Sequence, residues 1–132
     1  MDKLVDKLKD VQGLCVIGAC TEDEIDRAEK KLGLKFPEEY KCFLKAFGAV
    51  SFYGTEWMGL NVPDYLDVVG RTTAEREAGG GFPKDCFLLE NHGINGILTI
   101  CDEAGKVYYY SNGKKKPAAD SLSEYVDVCI GR

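Results

Sequence analysis

The sequence predicts an α+β fold: a twisted, mostly antiparallel sheet flanked by N-terminal helices, a mid-chain helix and a C-terminal helix. Three features of the pattern predict it. Apolar residues recur at helical spacing as far as Phe47, shorter strand-like runs begin at Ala49, and helical spacing returns after Ser121. Helices first, strands through the middle and a closing helix is an α+β order rather than a βαβ series. The 132 residues, 45% hydrophobic and 30% charged, amount to one domain, 1–132, without an internal repeat or a dividing linker. A chain of this size hides roughly two thirds of its unfolded surface, enough for a core without staples.

Leu4, Val5, Leu8 and Val11 give a short amphipathic helix that stops before Gly13. Thr21 and Glu24 have capping-box spacing, and Glu22, Asp23 and Glu24 suit the positive end of a helix dipole. The buried stripe of this second helix is Ile25, Ala28, the stem of Glu29 and Leu32, and Gly33 ends it. Pro37 fits the first turn of a third helix, whose apolar face is Tyr40, Phe43, Leu44 and Phe47, closed by Gly48.

Ala49 to Tyr53 and Thr55 to Leu60 read as strands around a turn at Gly54. Leu66 to Ala78 has helical character, weakened at Gly70 by about 1 kcal/mol relative to Ala, and Gly79-Gly80-Gly81 ends it. Strands follow at Cys86 to Glu90, Gly96 to Cys101 and Lys106 to Ser111, the last two joined by a turn over Asp102 to Gly105. Ser121 and Glu124 repeat the capping-box spacing before a helix that buries Leu122, Tyr125, Val126 and Cys129. Lys114-Lys115-Lys116, between Asn112-Gly113 and Pro117, reads as a solvated turn.

Net charge is −5 and the sequence pI about 4.9. A grip on nucleic-acid phosphates calls for a basic face, so direct nucleic-acid binding is disfavoured. Acidity instead suits docking onto a basic protein. The longest apolar runs fall short of the ~20 residues a membrane helix needs, and the N-terminus lacks the apolar core of an export signal. The expectation is a cytoplasmic protein without a membrane segment, monomeric or weakly dimeric.

Six cysteines form no CxxC pair, and the sole histidine, His92, has no cysteine at ligand spacing, so neither metal nor other cofactor is expected. Without an export signal the thiols are expected to be reduced, and most of them to pack as small core residues. The triple glycine lacks the GxxxxGK[ST] spacing of a phosphate loop. His92 with Cys86 or Cys101 is the one pairing that admits nucleophilic catalysis, but inert buried thiols are the commoner state of strand cysteines. The carboxylates are scattered over helix starts and turns, and no catalytic residue is assigned.

The aromatic and acidic mixture between Phe52 and Tyr65 is the candidate partner-binding region: Tyr53, Glu56, Trp57, Asp64 and Tyr65. Aromatics with polar handles are enriched in protein interfaces, and clustered charge selects the partner. Phe52 and Trp57 have a competing reading as core residues.

From Thr21 to Gly48 the order of Ile25, Glu29, Leu32, Gly33, Pro37, Tyr40, Phe43-Leu44 and Gly48 resembles the N-terminal signature of the SMI1/KNR4 family of the SUKH superfamily. The resemblance continues more weakly through Gly54, Trp57, Leu66 to Val69, Thr72, Arg76, Val107 to Tyr109 and the Ser121 helix, over nearly the whole chain. It implies the same α+β fold. It also implies a non-catalytic, protein-binding role: bacterial members are commonly immunity proteins that neutralise a cognate polymorphic toxin, often a nuclease, and fungal relatives are scaffold or regulatory proteins. The leading expectation is therefore an immunity protein acting by stoichiometric occlusion of a basic toxin domain. The alternative is an adaptor that binds an endogenous protein without inhibiting it.

Overall fold

Thr21 starts the best-defined helix. Its hydroxyl accepts from the Glu24 backbone N–H at 3.2 Å, and the Glu24 carboxylate accepts from the Thr21 N–H at 2.8 Å, a complete capping box. The computed structural model describes residues 3–52, 54–93 and 96–131, and statements about elements and contacts refer to these. In chain order they form α1 (Lys3–Lys9), β1 (Cys15–Val16), α2 (Glu22–Leu32), α3 (Glu38–Ala46), β2 (Val50–Phe52), β3 (Thr55–Trp57), a 3₁₀ turn (Asp64–Leu66), α4 (Val68–Glu77), β4 (Cys86–Asn91), β5 (Leu98–Asp102), β6 (Val107–Ser111), β7 (Lys114–Ala119) and α5 (Leu122–Gly131). The fold is α+β, as the pattern predicts.

The strands form two antiparallel sheets, ordered β1-β2-β3 and β4-β5-β6-β7. A backbone hydrogen bond from Met58 to Leu89, 2.8 Å, ties the end of β3 to β4. The core is one cluster, built around Tyr40, Phe43, Trp57, Phe87, Ile100 and Tyr125. Tyr40 is wholly buried, stacks on Phe43 at 5.4 Å and donates its hydroxyl to the Met58 carbonyl at 2.6 Å.

Glu29 does more than bury its stem. Its carboxylate is 6% exposed, accepts from the Phe36 N–H at 2.7 Å, and lies 3.7 Å from Lys41. It thus sets the angle between α2 and α3. Glu39 of α3 caps α5 from outside, accepting from the backbone N–H of Leu122 at 2.9 Å and of Ser123 at 3.2 Å, and from the Ser123 hydroxyl. The Ser121–Glu124 box is accordingly half formed: Ser121 accepts from the Glu124 N–H, while the Glu124 carboxylate turns to the Asp120 N–H. Gly70 inside α4 has a purpose too. A Cβ there would stand 3.1 Å from Asp67 Oδ2, and the Asp67 side chain caps this helix by accepting from Val69 N–H at 3.1 Å.

The lysine run departs from its expected form. Lys114 to Lys116 begin β7, in register with Ser111 to Tyr109 of β6, and the turn is Asn112-Gly113 alone, with φ of 53° and 77°. Both central residues at positive φ make it the primed two-residue hairpin that favours Asn-Gly. The lysines do face solvent, but from an edge strand. Thr55 to Leu60 is also shorter as a strand than expected: it leaves the sheet after Trp57, because Met58 to Leu60 bond to other partners.

Candidate protein-binding surface

Residues 59–67 close into a loop whose ends clasp each other. Gly59 N–H donates to the Leu66 carbonyl at 2.9 Å, and Val68 N–H donates to the Gly59 carbonyl at 3.0 Å. Leu60 and Leu66 turn inward and are buried. Leu60 also donates its N–H to the Gly48 carbonyl, 3.3 Å. Pro63 opens the 3₁₀ turn with extended backbone. With both flanks anchored, Asn61, Pro63, Asp64 and Tyr65 are left exposed, while Val62 packs partly against the core.

Tyr65 among them is 59% exposed, more than any other exposed large hydrophobic side chain among the described residues. Asp64, beside it, is exposed as well. Asn61, at φ 59°, reaches across to α2 and donates its amide to the Glu24 carboxylate at 2.7 Å. That bond and the Thr21 N–H hold Glu24 below the usual carboxylate range, the Thr21 contact being the larger cause. A shallow pocket of about 370 Å³ lies between α2 and the loop, lined by Glu24, Arg27, Lys31, Asn61 and Asp67 among others. An exposed aromatic ring next to Asp64 on a braced turn supplies contact area at low entropic cost, and acidic side chains on and near the loop add a field that attracts cationic partners.

The SUKH_5 family model, SMI1-KNR4 cell-wall, matches residues 1–130. The chain belongs to the SMI1-KNR4 family. None of the curated proteins matches it. Among solved structures it is similar to a crystal structure of a protein from Pseudomonas syringae pv. tomato, with a TM-score of 0.76 and 16% identity, covering 95% of this chain and 94% of that one. At this identity the likeness speaks for the fold. Members of the SMI1-KNR4 family generally bind partner proteins and are generally not catalytic.

In this SMI1-KNR4 chain the candidate residues of the sequence do not form one patch. Asp64 and Tyr65 share the braced loop. Glu56 is exposed on the outer face of the three-stranded sheet, in register with Ser51 and Cys15. Tyr53 lies outside the described residues. Trp57 has to be withdrawn as a contact residue: it is 0% exposed, packed between Phe43 at 5.5 Å and Tyr125 at 6.0 Å. The alternation of β3 turns Thr55 and Trp57 inward and Glu56 outward. Phe52 is likewise core.

Cys86 and Cys101 stand at the opposite end of the β4–β5 hairpin from His92, since Phe87 pairs with Cys101 whereas His92 follows the Asn91–Leu98 pair. At ~3.3 Å per residue the separation is well beyond contact. Burial also pushes the Cys101 thiol up, and the Cys86 thiol up to about 12 with Asp85 adding to it. The cysteine–histidine nucleophile reading thus has no geometric basis.

The sequence reading missed a buried polar chain. A β-bulge between Leu88 and Glu90 turns Glu90 into the protein, where it is 3% exposed. Tyr125 donates to Glu90 Oε1 at 2.7 Å, Thr99 Oγ1 lies 2.8 Å from the Tyr125 hydroxyl, and His92 Nε2 lies 2.7 Å from Thr99 Oγ1. Tyr125 gives its proton to Glu90, so the Thr99 hydroxyl has Tyr125 at 2.8 Å and, more weakly, Glu90 Oε1 at 3.4 Å as acceptors, and the Nε2–H tautomer of His92 completes the chain by donating to Thr99. Burial, with Glu90 next, raises the Tyr125 phenol far above its ordinary value. His92 also forms the wall of a groove of about 480 Å³ with Ile97, Tyr109, Ser111, Lys114 and Lys116. A carboxylate at a strand end gave no sequence signal of burial; the Asn-Gly turn was the signal for the strand that carries the two lysines.

Proposed function

We propose that this chain is an immunity protein: a cytoplasmic, non-catalytic unit of 1–132 that binds a cognate toxin domain stoichiometrically and covers its working face. Family membership supports the class, since SUKH proteins are commonly immunity proteins. The observation that carries the mode of binding is Tyr65, 59% exposed next to Asp64 on a loop that is clasped at both ends and tied to α2 by the Asn61–Glu24 bond. Tyr65 is the anchor that fills a pocket on the toxin, and the carboxylates steer a basic, nucleic-acid-binding face toward it. Net charge of −5 adds to the steering.

The test is the association rate with the toxin domain across a salt series. Asp64→Lys is expected to slow association several-fold at low salt and to flatten its salt dependence. Tyr65→Ala is expected to speed dissociation. Rates unchanged by both substitutions would remove this loop from the interface. Binding of an endogenous protein whose activity stays intact would favour the adaptor instead.

A further inference from the structure

The groove beside His92 lies at the end of the sheet face that α5 covers only in part. Tyr125 of α5 packs edge-on against Tyr109 at 6.1 Å, and His92 meets Tyr109 edge-on at 5.7 Å. Beyond them Ile97, Ser111, Lys114 and Lys116 line open space. The His92 ring is held by its hydrogen bond to Thr99, and so by the buried chain that ends on Glu90. The wall is therefore preformed, which lowers the entropic cost of binding.

The charge of the groove is opposite to that of the whole protein. Lys114 and Lys116 have no acidic partner among the described residues, whereas Lys115, on the other side of the strand, lies over the Tyr108 ring at 4.3 Å. The two lysines stand at alternate positions of one strand, so their side chains leave the same face from points roughly 7 Å apart. The floor between them and His92 is the aromatic face and aliphatic body of Tyr109 and Ile97. In the sheet order, β7 is an edge strand, with a neighbour only on the β6 side.

From this arrangement we infer that the groove is a second binding site, for an extended acidic peptide segment with carboxylates at alternate positions and an apolar side chain beyond them. The carboxylates pair with Lys114 and Lys116, and the apolar side chain rests on Tyr109 and Ile97. The site shares no residue with the Tyr65 loop, so either can fail without the other.

The experiment titrates the full chain, isotopically labelled for NMR, with the capped hexapeptide Glu-Ser-Glu-Ser-Phe-Ser. Three controls are the same peptide with both Glu replaced by Gln, a peptide with the two Glu adjacent, and free acetate. The expected result is saturable shifts at His92, Ile97, Tyr109 and Ser111, with the alternate-Glu peptide the tightest. Lys114→Gln with Lys116→Gln, both exposed and safe for folding, is expected to weaken it about tenfold. No saturable shift at millimolar peptide would overturn the site. So would equal binding of the Gln peptide or indifference to the lysine substitutions. Acetate matching the peptide would reduce it to a small-anion site and overturn the peptide assignment.

Discussion

A Cβ on Gly59 would stand 1.5 Å from the carbonyl oxygen of Gly48, and a Cβ on Gly48 would stand 2.0 Å from the carbonyl oxygen of Gly18. Three backbone segments thus touch without side chains between them. One ends α3 and another starts the Tyr65 loop, so the position of the candidate surface is set by how closely Gly59 approaches Gly48.

Gly59→Ala is expected to be severe, because the obstacle is backbone and not the free end of a side chain. A cost on the order of 4 kcal/mol, or failure to fold, is the expected outcome. Gly79→Ala serves as control: its φ is 76° but the space around it is open, so about 1–2 kcal/mol for the left-handed conformation is expected. Urea unfolding of the two variants compares them directly, and equal costs would contradict the packing argument.

Tyr125→Phe tests the buried polar chain. It removes the shorter of two hydroxyl donors to Glu90 Oε1 and leaves Thr99 only its longer 3.4 Å contact to that oxygen, at an expected cost of about 1–3 kcal/mol. His92→Gln, at the partly exposed end of the chain, is expected to cost less. Chemical denaturation gives both values, and a neutral Tyr125→Phe would mean that the Glu90 carboxylate is satisfied without this phenol.

The thiols differ in reactivity. Burial, with Glu24 next, pushes Cys20 up to about 11, and burial with Asp85 pushes Cys86 up to about 12, while Cys15 is exposed. At pH 8, alkylation followed by mass spectrometry is expected to label Cys15 first and Cys20, Cys86, Cys101 and Cys129 last. The same shifts affect stability. Above the ordinary thiol value of 9.0 the unfolded chain releases protons that the folded chain retains. Stability is therefore whole below pH 9 and falls as pH rises toward 11 to 12. A midpoint that rises through that window would contradict the assignment.

The helices were legible because capping residues, dipole-matched charges and 3.6-residue periodicity agreed at Thr21, Gly33 and Ser121. What escaped the sequence had physical reasons. Edge strands resist aggregation by carrying lysine and proline, so β7 looked like a solvated turn despite the Asn-Gly pair that begins it. The bulge at Leu89 reversed the facing of Glu90, and a one-residue offset of that kind leaves no compositional trace. Trp57 and Tyr65 look equally suited to an interface in one dimension. Strand alternation buries the first, and two anchored leucines expose the second.

The central claim is a stoichiometric, occluding role through the Tyr65 loop. It is tested most directly by expressing the toxin domain, which an immunity role requires to be encoded beside this gene, with the wild-type chain and with Tyr65→Ala plus Asp64→Lys, and measuring growth and the mass of the complex. The account predicts that the wild type restores growth in a one-to-one complex and that the folded double variant does not. Full rescue by that variant, or no complex with the wild type, would contradict it.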